Sequence, residues 1–342
     1  MLGINSLGRI GKLSLWYHLS TREFDGIVIN FGREVGKKFE DLVHTLVSDT
    51  TYGRLDTFLY GHSGKKAKVE IIDKQAGIID IDGIFVKILR TDRNPINIKW
   101  QEEGVRIVVD CTGKFLDPTV PAQDPKGSIN GHIEAGALKV IASAPFKIKN
   151  ASLDNPEIYP TLIYGINHNN FNHQKHHVIS AASCTTTGLA HMIKPLLEDE
   201  ETKRVLTASM STVHAATNSQ SVLDSVPSTG TSDLRKNRSV LNNIILSSTG
   251  AAKTLEKVIP ETSSFGFMAD SIRIPTSTVS LISLNITFNS RLNENGSPII
   301  NAEYIKNLYR TAALGPQKDL LHFSEVQNVS SDLMGMPASV VI

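Results

Sequence analysis

Cys184 stands where a cysteine gains reactivity. Residues 183–188 read SCTTTG, and they follow a short apolar run and precede a stretch of helical periodicity at residues 189–197. The free N–H groups at a helix N-terminus favour negative charge, so a thiolate placed there is stabilised and nucleophilic. The threonines after it can cap the helix and donate hydroxyl hydrogen bonds. The alternative is a buried structural cysteine, because unpaired cysteines are among the most buried residues.

His214 is the candidate base for that cysteine. It follows a β-type run at residues 205–213 and precedes a polar cluster that contains Thr217 and Ser219. A cysteine paired with a histidine is a common arrangement for activating a thiol. The alternative is a capping or core histidine, an interpretation that we give to His168 and His191 among the eleven histidines of the chain.

Arg273 and two hydroxyl-rich or basic segments could bind anions. Arg273 lies between Ile272 and Ile274, and a guanidinium buried in such a strand needs an anionic partner. Residues 233–238 read DLRKNR and residues 248–253 read STGAAK. A charge run of this kind is more often a solvated face than a site.

The N-terminus carries a candidate dinucleotide-binding turn. Residues 3–11 read GINSLGRIG and join a predicted strand to a predicted helix, where glycines allow a pyrophosphate to approach the helix N-terminus. Ser6 stands in place of the first glycine of the G-x-G-x-x-G pattern, so an ordinary strand–helix turn is the alternative. The next strand ends at residues 30–33, NFGR, without an acid for a ribose hydroxyl. Arg33 instead suits a 2′-phosphate.

The elements that must position these residues alternate between strand and helix in the first half. Compact apolar runs predict buried strands, and helical spacing predicts helices on the faces of a parallel sheet. Residues 66–89 favour β-hairpins. Residues 117–130 and 147–159 are rich in turn formers and are expected to be long surface loops. The predicted strands are 1–5, 26–30, 105–109 and 139–142, and the predicted helices are 8–19 and 38–47.

The second half has another character. Long β-type runs at residues 205–213, 272–274 and 279–288 predict a mainly antiparallel sheet with one wet face, and residues 301–314 predict an amphipathic helix. The 342 residues exceed what one hydrophobic core supports. We therefore expect an α/β chain with a Rossmann-type dinucleotide-binding domain at 1–183 and an α+β catalytic domain at 184–342.

Composition excludes several classes of protein. The net charge of +1 does not indicate the basic surface that binds nucleic acid or an anionic membrane. No apolar run is long enough to cross a bilayer. The two cysteines, Cys111 and Cys184, predict neither a disulfide framework nor a zinc site, so no metal is expected. A cytoplasmic location fits a chain with free thiols and no secretory signal.

In order along the chain, these segments resemble glyceraldehyde-3-phosphate dehydrogenase. The matching blocks are residues 180–186 (SAASCTT), 212–215 (TVHA), 248–253 (STGAAK), 273–276 (RIPT) and 329–332 (VSSD). The resemblance implies a glycolytic homotetramer that oxidises glyceraldehyde 3-phosphate with inorganic phosphate and NAD or NADP. It also leaves open an erythrose-4-phosphate dehydrogenase, and a weakly active relative that serves as a binding or regulatory protein.

The resemblance also implies roles for individual residues. Cys184 would attack the aldehyde to form a thiohemiacetal, and His214 would take the hydroxyl proton. Hydride would pass to the nicotinamide, and phosphate would release the resulting thioester as an acyl phosphate. The predicted phosphate-binding residues are Ser183, Thr185, Thr217, Ser219, Lys236, Thr249, Gly250 and Arg273. The predicted cofactor-binding residues are Asn5, Gly8, Arg9, Ile10, Asn30, Arg33, Thr112 and Ser143.

Several positions depart from the family pattern. Ser6 replaces a glycine, Phe31 replaces the ribose-binding aspartate, and Lys236 replaces an arginine of the phosphate site. Leu7 and Thr187 also differ. The family normally continues with a strand, an Asn-Glu-Trp/Phe-Gly-Tyr block and a long helix beyond the point where the printed sequence ends. We therefore expect the printed sequence to be poorly active or unstable by itself, and we expect NADP to bind at least as well as NAD.

Overall fold

The computed structural model describes residues 1–90 and 92–342. Over those residues the chain forms two compact units. The first contains Met1–Leu162 and Asn169–Ala182, and the second contains Ile163–His168 and Ser183–Ile342. Each unit has its own sheet and its own apolar interior, so each is described separately.

The first unit alternates strands and helices. The elements are β1 (Leu2–Asn5), α1 (Arg9–Thr21), β2 (Gly26–Asn30), α2 (Phe39–Val47), β3 (Ser48–Asp49), β4 (Gly53–Arg54), α3 (Leu55–Tyr60), β5 (Val69–Asp73), β6 (Ile78–Ile81), β7 (Ile84–Leu89), β8 (Ile107–Asp110), α4 (Gly131–Glu134), β9 (Lys139–Ala142) and β10 (Val178–Ser180). The strands and helices predicted for residues 1–47 and the strand at 139–142 are therefore confirmed. The strand predicted at 105–109 begins two residues later than expected.

The main sheet of this unit has the order β10-β9-β8-β1-β2-β7-β6-β5. Pairings from β10 to β7 are parallel, and β7, β6 and β5 follow one another antiparallel. Every residue of β1 and β2 is buried, as expected for central strands covered on both faces. The β-rich hairpin segment predicted at 66–89 is confirmed, because β5, β6 and β7 pair antiparallel in succession, and β7 also pairs with β2 and so extends the sheet.

Apolar side chains fill both faces of this sheet. On one face α1 and α2 pack through Trp16, Leu15 and Leu42, and the Trp16 indole donates a hydrogen bond of 2.7 Å to the Leu46 carbonyl. On the other face Trp100 and Ile129 pack against Val108 and Val140. This two-sided core holds the carboxyl ends of β1, β2 and β8 in place.

The long segments 117–130 and 147–159 are irregular, but the expectation that both are surface loops is only partly correct. Ser128 and Ile129 are buried, at 1% and 0% exposed. Asn130 donates its side-chain amide to the carbonyls of Pro118 and Val120. These bonds satisfy backbone groups inside the segment, which allows its end to pack into the core.

The second unit combines a mixed sheet with helices. Its elements are α5 (Cys184–Glu198), β11 (Val205–Ala215), β12 (Ile245–Ser247), α6 (Ala251–Val258), β13 (Gly266–Ile274), β14 (Ser280–Phe288), α7 (Ala302–Leu314), β15 (Leu321–His322) and β16 (Val340–Val341). The sheet order is β12-β13-β11-β14. Both outer pairings are antiparallel, as expected, whereas the central pair β11 and β13 is parallel.

One face of this sheet is covered and the other is open. α5 contacts β14, and α6 contacts β13. Along β11 the residues Ala208, Met210, Thr212 and His214 are buried, and the residues between them are not. The alternation places His214 on the helix-covered face and agrees with the expected wet face. None of the helices formed by residues 1–90 and 92–342 is long and apolar enough to cross a membrane.

Candidate active site

The turn between β1 and α1 is built on a close backbone contact. Ser6 has a φ of +79°, a region that favours glycine, and its N–H donates to the Asn30 carbonyl at 2.9 Å. A Cβ added to Gly11 would lie 2.1 Å from the Ser6 carbonyl oxygen. Gly8 precedes α1, and nothing lies within 4 Å of the Cβ that it lacks. The two glycines therefore have different roles, because Gly11 permits packing whereas Gly8 leaves open space above the helix N-terminus.

Two substitutions separate these roles. Gly11→Ala is expected to destabilise the first unit by about 1–3 kcal/mol or more. The added Cβ would collide with the Ser6 carbonyl oxygen, which is a backbone atom and cannot move without displacing the turn. Gly8→Ala is the matched control, and we expect an unchanged thermal midpoint with weaker dinucleotide binding, since a pyrophosphate would approach this position. Thermal unfolding and cofactor titration measure both effects. Equal midpoints for the two variants would contradict this account of the turn.

A cavity of about 910 Å³ lies at the carboxyl ends of the first unit's strands. Its lining includes four of the predicted cofactor residues, Asn5, Asn30, Arg33 and Thr112. The lining is strongly basic, and the acids that oppose the basic groups are Asp117 and Asp124. The basic residues are Arg33, Arg93, Lys114, Lys126, Lys147 and Lys149. A cavity of this size with a cationic rim fits a ligand that carries several phosphate charges.

The end of β2 shapes one wall of the cavity. Asn30 accepts a hydrogen bond from the Gly32 N–H at 3.1 Å and donates to the Asp92 carbonyl at 3.0 Å. Gly32 has a φ of +65°, and a Cβ there would lie 2.7 Å from the Asp92 carbonyl oxygen. Phe31, at the position of the family's aspartate, packs partly against the core below. The wall is therefore made of amides and backbone, with Arg33 and Arg93 beside it.

The other predicted cofactor residues lie outside the cavity lining. Gly8, Arg9 and Ile10 form the start of α1, and the Arg9 guanidinium lies over the Tyr52 ring, 6.0 Å from its centroid. Ser143 follows β9 and donates its N–H to the Asp110 carbonyl at 3.0 Å. Ser143 thus lies beside the carboxyl ends of β8 and β9, but it is not among the residues that line the cavity.

A buried chain of hydrogen bonds supports the floor of the cavity. The Trp100 indole donates to His132 Nδ1 at 2.8 Å, and His132 Nε2 lies 3.1 Å from Asp110 Oδ2. Because an indole can only donate, His132 carries its proton on Nε2 and donates it to Asp110. Asn5 donates to the same oxygen at 2.8 Å and accepts from Asn30 at 2.9 Å.

Asp110 is the centre of this chain. Its other oxygen accepts the Thr112 N–H at 3.1 Å and the Thr112 hydroxyl at 2.6 Å. Burial would raise the pKa of Asp110, but the hydrogen bonds from His132, Thr112 and Asn5 outweigh burial and lower it below its usual value. The carboxylate stays ionised and holds Thr112 at the cavity edge.

In the second unit, Cys184 is the first residue of α5 and is exposed. Ser183 caps this helix, because its hydroxyl accepts the Thr186 N–H at 3.1 Å and lies 2.8 Å from the Thr186 hydroxyl. The Thr187 N–H donates to the Ser183 carbonyl at 2.8 Å. The alternative of a buried structural cysteine is wrong for Cys184. Cys111 comes closer to that description, since it is partly buried and burial raises the pKa of its thiol to about 12.

His214 lies near the C-terminal end of β11, 5% exposed. Its Nε2 lies 3.2 Å from the hydroxyl of Thr185, the residue after Cys184, and its Nδ1 lies 2.6 Å from the Ser280 hydroxyl. Burial, and secondarily the charge of Arg273, lower the pKa of His214 to about 4. Among the described residues His214 makes no direct hydrogen bond to Cys184. The structure therefore links this predicted pair through Thr185.

Arg273 occupies the β13 position opposite His214. It is half-buried, and its Nη1 donates to the Ala215 carbonyl at 3.0 Å. Burial lowers the pKa of Arg273, and the charge of Cys184 opposes that effect. Within residues 1–90 and 92–342 no carboxylate pairs with this guanidinium. The anionic partner expected from the sequence is therefore not a carboxylate of the described residues, which leaves the guanidinium open to an anionic ligand.

The remaining predicted phosphate residues form small local groups. The hydroxyls of Thr217 and Ser219 lie 2.9 Å apart. Lys236 is exposed, in a short helical turn at Leu234–Asn237, and its carbonyl accepts the Ser221 N–H at 3.3 Å. Thr249 accepts the Ala251 N–H at 3.2 Å beside Gly250, the residue that precedes α6. No hydrogen bond or ion pair in the described part of the chain joins these groups to Cys184.

Sequence reasoning missed residues in both units. Ser280 contacts His214, although nothing in the pattern of residues 279–288 marks it. Arg93, Lys114, Lys126, Lys147 and Lys149 line the cavity. Each of the four lysines lies in or beside the segments 117–130 and 147–159, which the sequence alone predicts only to be surface loops. Their basic residues were the one feature of these loops that could have indicated an anion-binding role.

Comparisons with known proteins agree with this arrangement. Residues 1–118 match the family described as "Glyceraldehyde 3-phosphate dehydrogenase, NAD binding domain", and residues 183–342 match its C-terminal domain. The chain is 30% identical, over all of its length and 87% of the relative, to glyceraldehyde-3-phosphate dehydrogenase 2 of Trichormus variabilis. It is 33% identical over the same shares to the Geobacillus stearothermophilus enzyme. It is 32% identical, over 97% of its length and 76% of the relative, to the chloroplastic enzyme A of Chlamydomonas reinhardtii. The chain belongs to the glyceraldehyde-3-phosphate dehydrogenase family and is an oxidoreductase with NAD(P) as its cofactor.

Proposed function

We propose that the chain oxidises glyceraldehyde 3-phosphate to 1,3-bisphosphoglycerate, with inorganic phosphate as co-substrate. The observation that carries this proposal is the position of Cys184, exposed at the capped N-terminus of α5, with His214 bound to the residue that follows it. A nucleophile beside a helix N-terminus and a neutral imidazole nearby supply the groups that thioester chemistry needs.

In the proposed reaction, Cys184 is the nucleophile and His214 is the general base. Cys184 Sγ attacks the aldehyde carbon and forms a thiohemiacetal, and His214 takes the proton from its hydroxyl. When bound, NAD(P) supplies the nicotinamide that accepts hydride from that carbon. Inorganic phosphate then attacks the Cys184 thioester, which frees the thiolate and releases the acyl phosphate. His214 is suited to this role because burial keeps its imidazole unprotonated at neutral pH.

Two anion sites would hold the phosphates. Arg273, whose guanidinium faces no carboxylate in the described part of the chain, is proposed to bind the substrate's phosphate together with Thr217, Ser219 and Lys236. Ser183, Thr185, Thr249 and Gly250 are proposed to bind the attacking phosphate. Lys236 supplies a charge but not the two parallel N–H bonds of an arginine, so we expect its contribution to be the weaker one.

A steady-state assay tests the function. The purified chain is given glyceraldehyde 3-phosphate or erythrose 4-phosphate, with NAD or NADP, in the presence and absence of inorganic phosphate. Phosphate-dependent reduction with the triose phosphate supports the proposal. Preference for the tetrose would favour erythrose-4-phosphate dehydrogenase. Retained dinucleotide binding without turnover would favour the binding or regulatory protein.

We expect NADP to bind at least as tightly as NAD. Residues 30–33, at the end of β2, include no carboxylate that could accept hydrogen bonds from the ribose hydroxyls or repel a 2′-phosphate. Arg33 and Arg93 line that wall. Arg33→Ser should weaken NADP binding about 10- to 100-fold, the effect of one charge-assisted hydrogen bond, and leave NAD binding nearly unchanged.

Calorimetric titration measures both affinities. Arg106→Ser is the matched control, because Arg106 is exposed and lies outside the cavity lining. A preference of wild type for NAD of about a hundredfold, which is about 2.7 kcal/mol, would contradict the expectation.

We also propose a homotetramer in a reducing compartment such as the cytoplasm. The open face of the second unit's sheet supports an assembly, because Met268 and Leu281 are 77% and 62% exposed there. Partly buried, unpaired Cys111 suits a reducing environment. Light scattering would give the mass of the assembly, and a monomer at micromolar concentration would contradict the proposed tetramer.

A further inference from the structure

Ser280 lies directly opposite His214 in the antiparallel pair formed by β11 and β14. On the other side of β11, Arg273 occupies the same level of β13. The chain leaves β13, crosses the C-terminal end of β11 and returns as β14. The Ala216 N–H donates to the Thr276 carbonyl at 3.3 Å and ties this crossing to the end of β11. His214 is thereby held between one residue before the crossing and one residue after it.

The backbone before Ser280 is strained. Val279 has a φ of +70°, a conformation that a β-branched side chain rarely adopts. Such conformations cost about 1–3 kcal/mol and persist where the surrounding structure requires them. Here the conformation starts β14 at the residue whose hydroxyl reaches His214 Nδ1 at 2.6 Å.

The two ring nitrogens of His214 face different surroundings. Nε2 faces the Thr185 hydroxyl, beside Cys184, whereas Nδ1 faces Ser280 and no reacting group. A neutral imidazole carries one proton, and only the other nitrogen can accept another. If Nδ1 carries the proton and donates it to Ser280, then Nε2 is free to act on the cysteine side. A hydroxyl can accept that bond, so Ser280 is able to hold this tautomer.

The geometry points to Ser280 as a positioning residue that keeps the unprotonated nitrogen of His214 directed towards Thr185 and Cys184. This inference rests on the proposed role of His214 as the base. Among the described residues the charged group that acts on His214 is Arg273 on β13. On α5, Cys184 precedes Thr185, the residue that contacts Nε2, and β14 contributes an uncharged hydroxyl. Loss of that hydroxyl therefore removes orientation without changing the local charge.

Ser280→Ala tests the inference through turnover. We expect kcat to fall about 10- to 100-fold, as for other residues that orient a reacting histidine, with KM and cofactor affinity nearly unchanged. Ser280→Thr, which retains the hydroxyl, should recover most of the loss. Ser283→Ala is the matched control, because Ser283 lies on the opposite face of β14. The acid limb of the pH–rate profile should move for Ser280→Ala and stay in place for Ser283→Ala.

A double-mutant cycle separates orientation from general damage. In a His214→Asn background, Ser280→Ala should cost almost nothing further, because the group that it orients is absent. A full additional loss in that background would overturn the inference. The inference would also be overturned if Ser280→Ala left kcat and the pH profile unchanged while His214→Asn lowered turnover. If His214→Asn itself retained full turnover, the proposed function of His214 would fail instead.

A measurement independent of turnover completes the test. Nitrogen-15 NMR of the imidazoles, with the His214 signals identified by their loss in His214→Asn, reports which nitrogen carries the proton. Wild type should show the Nδ1-protonated tautomer, and Ser280→Ala should show a mixture or the opposite form. The same tautomer in both proteins would overturn the inference even if the chain showed no turnover.

Discussion

Replacing Cys184 with serine is expected to lower turnover by about three orders of magnitude or more, because a hydroxyl is far less ionised and far less nucleophilic than a thiol. The helix cap at Ser183 and the exposed position on α5 do not depend on the sulfur, so the thermal midpoint should change little. Steady-state kinetics and thermal unfolding measure the two quantities on the same sample.

Cys111→Ser is the matched control for this substitution. Cys111 is partly buried in the first unit, and burial raises the pKa of its thiol to about 12, so it contains almost no thiolate at neutral pH. Iodoacetamide should therefore label Cys184 and spare Cys111. Equal labelling of the two cysteines, or full turnover in Cys184→Ser, would exclude Cys184 as the nucleophile.

Replacing His214 with asparagine is expected to lower turnover about 10²- to 10⁴-fold, the usual contribution of a positioned general base. Because burial and Arg273 hold the pKa of His214 near 4 rather than 6.5, the wild-type acid limb should lie well below pH 6.5. His214→Asn should lack that limb. The exposed His62 provides the control substitution His62→Asn, which should leave turnover and the profile unchanged.

The same shift makes stability depend on pH in a defined direction. Between pH 4 and 6.5 the unfolded state binds a proton at His214 that the folded state does not, so stability falls as the pH falls through this window. Wild type should therefore lose more stability than His214→Asn when acidified from pH 6.5 to about 4.5. Denaturant titration at the two pH values measures this difference, and parallel losses would show that His214 is not desolvated.

The strands and helices of the first half could be predicted because their signals are local. Residues 26–30 and 139–142 are compact apolar runs, and they coincide with β2 and β9. The position of Cys184 at the start of α5 was also predictable, since a serine before it and threonines after it are typical of a helix N-terminus. Local composition was enough wherever an element or a cap involves consecutive residues.

Pairing over long distances could not be predicted in this way. The strand β7 alternates in burial as a free hairpin would, so its pattern does not reveal that it joins β2. The contact between Ser280 and His214 joins residues 66 positions apart. The cavity lysines belong to segments without periodicity, where composition predicts a loop but not the wall that the loop forms.

The buried hydrogen bonds that run from Trp100 to Asn30 have a consequence for folding. The strands β1 and β2 are buried along their whole length. Several registers of these strands would therefore bury similar apolar area and gain similar free energy from it. Asn5 lies opposite both Asn30 and Asp110 in the observed pairings. Sliding either neighbour by one residue would leave amide or carboxylate groups without partners inside the core, at about 1–3 kcal/mol for each group. Hydrophobic collapse can thus bring these strands together in several registers of similar free energy. The polar side chains then select the observed register, because only that register satisfies their hydrogen bonds.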